Sequence, residues 1–320
     1  MNNLLYISEE IVTKLLNWDS TFKAIETALQ CTARNCAIQS PRTFTKCPKT
    51  DSRLLTMPGY LDNDTFGALG CKLVTATPNN ASLAQPLPTI NAYIMLFDDV
   101  TGVLKAVIAG TEITKWRTAA ASAVATKYLT QGKRLKILAI LGAGNQGHIH
   151  ALAFSNFFSF EEIRIWNRNK YKAETLVRAL NEFSNTGKFK CYDSNKECVT
   201  GADVIVTATF SSEPIVELGW LKPGVHINAI GAGVNHYSEL SLDIYKTSDV
   251  YVDHADGAKV ELAGLGDLGV KMRGIGGVIA GDLPPPTLNQ VTVFQSLGMA
   301  VEDCAMARLI YDLYVKECQK

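Results

Sequence analysis

The chain has 320 residues, 47% of them apolar and 19% charged, with 31 Lys+Arg set against 31 Asp+Glu. That is enough chain for two packed domains with ordinary cores. A balanced charge lacks the basic footprint that duplex nucleic acid or an anionic membrane requires, so no nucleic acid and no membrane is expected as a partner, and a small metabolite is.

Apolar residues Ile11, Leu15, Leu16, Phe22, Ile25 and Leu29 fall at helical spacings, with Asp19 or Ser20 placed to cap a second helix. From Arg42 the pattern becomes strands, at 42–47, 54–60, 68–77, 89–98 and 103–109, with Asp98-Asp99-Val100-Thr101-Gly102 as a hairpin turn. An alanine-rich helix is expected over about 111–129. From Lys136 continuous apolar runs at 137–141, 163–166, 204–207, 225–230 and 250–252 alternate with helical stretches. Such runs suit a parallel sheet covered on both faces. Residues 274–281 and Pro284-Pro285-Pro286 read as an irregular connection. A last strand at 291–295 and a helix from about Leu297 are expected to return to the first domain. The fold class is therefore α/β, a Rossmann-type doubly wound parallel sheet inserted in a strand-rich α+β domain. The expected division is 1–118 plus 291–320 for the strand-rich domain and 119–290 for the Rossmann domain.

The segment Lys136-Ile-Leu-Ala-Ile-Leu-Gly142-Ala143-Gly144-Asn145-Gln146-Gly147 is a strand running into GxGxxG and then a helix. Gly142 permits the tight turn, Gly144 lets backbone approach a pyrophosphate, and Gly147 allows close helix–strand contact. The helix N-terminus offers free N–H groups. After the next strand come Asn167-Arg168-Asn169, with no acid to accept from a ribose 2′-hydroxyl. Arg168 is placed to pair with a 2′-phosphate, which favours NADPH (NADP+) over NADH, the latter remaining a possible but weaker coenzyme.

Other polar clusters read more plainly. His148 and His150 do not share a helix face and are expected at the surface or as caps. In Asp253-His254-Ala255-Asp256, Asp256 is the natural N-cap, and His226 is a hydrogen-bonded core residue. No metal is expected. Eight scattered cysteines without a CxxC pair, and a start without a basic and then apolar leader, point to reduced thiols and a cytoplasmic protein.

The chain resembles the ornithine cyclodeaminase/mu-crystallin family nearly end to end, and within it the NADPH-dependent ketimine reductases. The resemblance rests on Met57-Pro58, Lys72-Leu73-Val74-Thr75, Arg117-Thr118-Ala119-Ala120, the glycine loop, Gly201-Ala202-Asp203, His226-Ile227-Asn228-Ala229 and the tail from Thr292 to Asp303. It implies a homodimer whose strand-rich domain forms the subunit interface and the substrate site, with the Rossmann domains at the outer ends. It implies cofactor contacts at Thr89, Arg117, Thr118, Gly142, Ala143, Gly144, Asn145, Gln146, Asn167, Arg168, Asn169, Thr209, Ile230 and Ser296. It places Arg42, Lys72 and Arg117 around a substrate, with Lys72 catalytic.

Those three cations make chemical sense. Lys72 interrupts an otherwise apolar strand, where an ammonium is costly unless it meets an anion or shifts its pKa. Arginine forks hold a carboxylate bidentately, which suits an imino acid. The implied activity is reduction of the C=N bond of a cyclic ketimine carboxylate, with Lys72 supplying or positioning a proton. The family's cyclodeaminases use a glutamate where this chain has Leu55 and an aspartate where it has Gly233; the reductases carry serine at that second position and histidine where this chain has Ile90. Ornithine cyclisation thus loses two groups. Alanine dehydrogenase activity, and an NADPH-dependent carrier of a small hydrophobic or thyroid-hormone-like ligand, are the alternatives.

Overall fold

The computed structural model describes residues 4–85, 87–231 and 236–319. The chain divides into two compact units, Met1–Arg117 with Gly298–Lys320, and Thr118–Leu297.

The first unit opens with β1 (Leu5–Ile7), α1 (Glu9–Leu15) and α2 (Trp18–Ala33), followed by β2 (Ala37–Gln39), β3 (Thr43–Lys46), β4 (Arg53–Leu61), β5 (Ala68–Ala76), β6 (Ile90–Phe97) and β7 (Leu104–Ala109). The cap of α2 is Asn17, not Asp19 or Ser20. Its backbone is extended and its side chain accepts from Ser20 N at 3.0 Å, so the helix starts at Trp18. Trp18 stacks on Trp116 with ring centroids 3.9 Å apart. The sheet runs β1-β7-β6-β5-β4-β2, with β3 also on β4. Asp98 makes the β6–β7 hairpin turn: its carbonyl accepts from Gly102 N, and Gly102 sits at φ +70. Alternation along the strands puts Met57, Lys72, Ile94, Ile108 and Ile7 in one cross-strand row, every member buried.

Helix α3 (Thr111–Leu129) carries the chain out of this unit at Arg117. The second unit then contains β8 (Ile137–Leu141), α4 (Asn145–Phe157), β9 (Glu162–Trp166), α5 (Lys170–Ser184), β10 (Phe189–Cys191), α6 (Asn195–Val199), β11 (Val204–Thr207) and β12 (His226–Ala229). It continues through α7 (Leu242–Thr247), β13 (Asp249–Val252), α8 (Ala255–Glu261), α9 (Ala263–Asp267), β14 (Met272–Gly274), α10 (Ile275–Ala280) and β15 (Thr292–Gln295). All pairs are parallel, in the order β10-β9-β8-β11-β12-β15-β13-β14. The connection expected at 274–281 is instead mostly α10, because Ile275, Val278 and Ile279 share a buried helical face.

The expected return of strand 291–295 to the first domain is corrected as well. β15 lies between β12 and β13 inside the parallel sheet, and all four of its residues are buried. The first unit regains the chain only at Gly298, and its last helix, α11, spans Ala300–Cys318 rather than starting near Leu297. α11 packs on α2, β4 and β5. There Gly59 lies so close to Ala300 that a Cβ would come within 2.9 Å. Among the described residues no helix is long and apolar enough to cross a membrane.

Candidate active site

In the first unit the buried row across the sheet contains one charge, Lys72. Its Nζ lies 2.7 Å from Asp303 Oδ2, with side-chain exposures of 2% and 1%. Arg117 approaches the same helix: its NH1 is 3.1 Å from Glu302 Oε2, and its Nε is 3.6 Å from Asp303 Oδ1. Asp303 thus stands between the two cations. Burial lowers the Lys72 ammonium from its usual range to about 8; Asp303 acts against that shift, while Arg117 adds to it. Two cations and two carboxylates leave the cluster near neutrality, which is how such buried charges are tolerated.

The start of α11 is built to hold these groups. Gln39 Oε1 accepts from Ala300 N at 2.8 Å and Val301 N at 3.3 Å, capping the helix, and Glu302 Oε2 also accepts from Met299 N. Arg42 NH2 donates to Gly298 O at 3.0 Å. Arg42, Lys72 and Arg117, distant in sequence, therefore gather around residues 298–303. Thr89 lies just before β6, where its carbonyl accepts from Thr77 N. Glu302 and Asp303 were not singled out from the sequence as site residues, although both lie in the first turn of α11.

In the second unit the residues expected at a cofactor fall at the C-terminal ends of neighbouring strands. Gly142 follows β8, Asn167 follows β9, Thr209 follows β11, Ile230 follows β12 and Ser296 follows β15. That edge is where open α/β sheets bind ligands. The glycine loop fits a dinucleotide. Gly142 has φ +121, and a Cβ at Gly147 would stand 1.8 Å from Gly142 O, whereas one at Gly144 would meet nothing within 4 Å. Gly144 caps α4 without a side chain, leaving the helix N-terminus to a ligand. Gln146 Oε1 beside it is buried without a hydrogen-bond partner among the described residues. Asn145 and Asn169 are exposed, and Thr118 and Ser296 are buried. Asn167 braces the loop, accepting from Ala143 N at 3.1 Å and donating to Asn169 O at 2.9 Å. Arg168 next to it is exposed and has no ion-pair partner among the described residues.

Glu239, unremarked in the sequence, ties two of these strand ends together. Its Oε1 accepts from Thr209 N and Oγ1 at 2.7 and 2.6 Å, and its Oε2 from Gly231 N at 2.8 Å. Burial raises its pKa, and the three donors oppose that shift. A buried polar chain underlies the same unit. Thr292 Oγ1 meets His226 Nδ1, His226 Nε2 meets Asn228 Oδ1, and Asn228 Nδ2 donates to Thr126 Oγ1. On α3, Ser122 Oγ meets His150 Nε2, and His150 Nδ1 meets Gln146 O at 2.7 Å. Gln146 O can only accept, so His150 carries its proton on Nδ1. His150 is fully buried, not at the surface as expected, because α4 turns that side towards α3. His254, not Asp256, caps α8, its Nδ1 accepting from Gly257 N at 3.1 Å. Gly233 lies outside the described residues.

A strand-rich unit with buried paired cations, together with a nucleotide-type parallel sheet, defines the class, and comparison with known proteins gives the family. The ornithine cyclodeaminase/mu-crystallin family profile matches residues 2–317, and the chain belongs to that family. It is 39% identical over 275 residues to the ketimine reductase mu-crystallin of Rattus norvegicus, covering 86% of this chain and 85% of that one. Its fold matches an archaeal alanine dehydrogenase dimer with bound NAD at a TM-score of 0.88 and 29% identity, over 98% of this chain and 97% of that one. It also matches the Thermococcus litoralis Delta(1)-pyrroline-2-carboxylate reductase in complex with NADH and L-proline at a TM-score of 0.88 and 28% identity, over 98% of both chains.

Proposed function

We propose that this chain is an NADPH-dependent oxidoreductase that reduces the C=N bond of cyclic ketimine carboxylates. The observation that carries the reading is the buried Lys72–Asp303 and Arg117–Glu302 cluster, in a chain whose similar proteins include a ketimine reductase and a pyrroline-2-carboxylate reductase. Arg42 and Arg117 bind the substrate carboxylate and fix its orientation, and ideal orientation is worth several powers of ten in rate, about 7 kcal/mol or more. Lys72 holds a proton at Nζ for the imine nitrogen, which makes the adjacent carbon more electrophilic. A reduced nicotinamide coenzyme, when bound, supplies the hydride.

The glycine loop, Asn145, Thr118, Thr209, Ile230 and Ser296 are the residues that would hold that coenzyme, with Arg168 for its 2′-phosphate and Asn167 and Asn169 shaping the loop. The Leu55 position supports reduction over ornithine cyclisation: it pairs with Val74 on an apolar stretch of β4 and offers no proton-accepting group. A homodimer follows from the same reading. The face of the first sheet opposite α11 carries Leu69, Leu73, Tyr93, Met95 and Val107, partly exposed and apolar, and a second copy would cover it.

The test is direct. Purified protein mixed with NADPH and either piperideine-2-carboxylate or pyrroline-2-carboxylate should oxidise the coenzyme. Tight coenzyme binding with no turnover on any cyclic imine would replace this reading with that of a ligand carrier.

A further inference from the structure

We propose that Asp303 is a positioning residue that fixes Lys72 as an ammonium, keeping it a proton donor and preventing it from acting as an amine nucleophile towards keto acids. The inference rests on the proposed imine chemistry, because cyclic ketimines coexist with open-chain 2-keto acids whose carbonyl is the natural target of a neutral lysine. An unprotonated Nζ would add its lone pair to the keto carbon. The C=O bond would break, its oxygen would leave as water, and a C=N bond to the enzyme would form. That product would block the site and remove the proton source in one step.

The geometry bears on which form Lys72 takes. Its ammonium is enclosed on β5 within an apolar row, with Ile94 and Met57 as its cross-strand neighbours. From α11 it faces Asp303, Glu302 and the Cys304 thiol; from α3 it faces Arg117, and Cys71 precedes it on its own strand. Burial and Arg117 both favour the neutral amine. Asp303 supplies the largest opposing effect, at 2.7 Å, while Glu302 is engaged by Arg117 and Met299 N. Remove the Asp303 charge and the two remaining strong influences point the same way. Asp303 Oδ1 also lies 3.6 Å from Arg117 Nε, so a substrate carboxylate that draws on Arg117 would leave more of the Asp303 charge to Lys72. The ammonium is then held most firmly when an imine is present to receive its proton.

The experiment treats wild type and Asp303→Asn with pyruvate and cyanoborohydride, which delivers hydride to any enzyme-bound imine and leaves a stable secondary amine, and maps the modified lysines by peptide mass. Wild type at about pH 7 should show little modification at Lys72, rising about tenfold by about pH 9. Asp303→Asn should be modified at Lys72 already at about pH 7, its kcat for imine reduction should fall on the order of 100-fold, and Asp303→Glu should recover protection and much of the rate. A wild-type Lys72 modified equally at both pH values, or an Asp303→Asn protein with no modification there, overturns the proposal. If Asp303→Asn does not fold, the wild-type pH series and Asp303→Glu decide it. Trapping needs no turnover, so failure of the reductase reading would appear separately, as absent coenzyme oxidation.

Discussion

A Cβ on Gly298 would stand 2.5 Å from Arg117 NH1, so the guanidinium occupies space that only glycine leaves open. Gly298 also has φ +76, and its carbonyl accepts from Arg42. One backbone position therefore sets both arginines.

Gly298→Ala should push the Arg117 guanidinium aside and strain the turn, costing about 1 kcal/mol of stability. If the arginines hold a carboxylate, KM for an imino acid should rise on the order of tenfold, and coenzyme affinity, to which Arg117 is one expected contributor among many, should fall by less. Steady-state kinetics read the first and coenzyme titration the second; an unaltered KM would show that the arginines do not bind the substrate.

Arg168→Ala should weaken NADPH binding roughly 10- to 100-fold, as expected for loss of charge-assisted hydrogen bonds, and leave NADH binding nearly unchanged. Fluorescence titration with both coenzymes separates the two. Equal losses would return Arg168 to the role of a solvated surface arginine.

Acid should destabilise the parallel-sheet unit over a defined window. Burial depresses His150 to about 4 and His226 to about 3, from an ordinary value of 6.5. Below that ordinary value the unfolded chain takes up protons that the folded chain refuses, so the stability present near neutrality is lost as pH falls towards the folded values. The loss is roughly 3 kcal/mol for each histidine by about pH 4. Denaturant unfolding at about pH 7.5 and about pH 4.5 should show it, and His150→Gln should shrink it. A flat profile would mean that these rings are not held neutral.

Much of this architecture was legible in the sequence wherever the signal is local. The glycine loop lies on one continuous stretch, and α3 shows in its alanine-rich composition from Thr111 to Leu129. The failures have a common physical origin. The residues of β15 read as a buried strand, but nothing in Thr292–Gln295 says which sheet it joins, since both sheets offer apolar partners. Likewise Glu302 and Asp303 look like ordinary acids in a helical first turn, and only the packing of α11 on β5 brings Asp303 to Lys72. Glu239 sits in a loop with no period at all, and its three donors come from 30 and 8 residues away. His254 displaced Asp256 as a cap because helix starts are decided by one residue's backbone, and both carry acceptors.

The slot that β15 occupies has a consequence for biosynthesis. Until residue 295 emerges from the ribosome, the strands β10 to β12 and the pair β13–β14 share no hydrogen-bond ladder, because the piece that joins them has not been made. The amino-terminal sheet likewise waits for α11 to cover it. Nascent chains therefore carry two unfinished sheets until residues 292–318 have been made, and a stop just before β15 should be as damaging as one within either sheet.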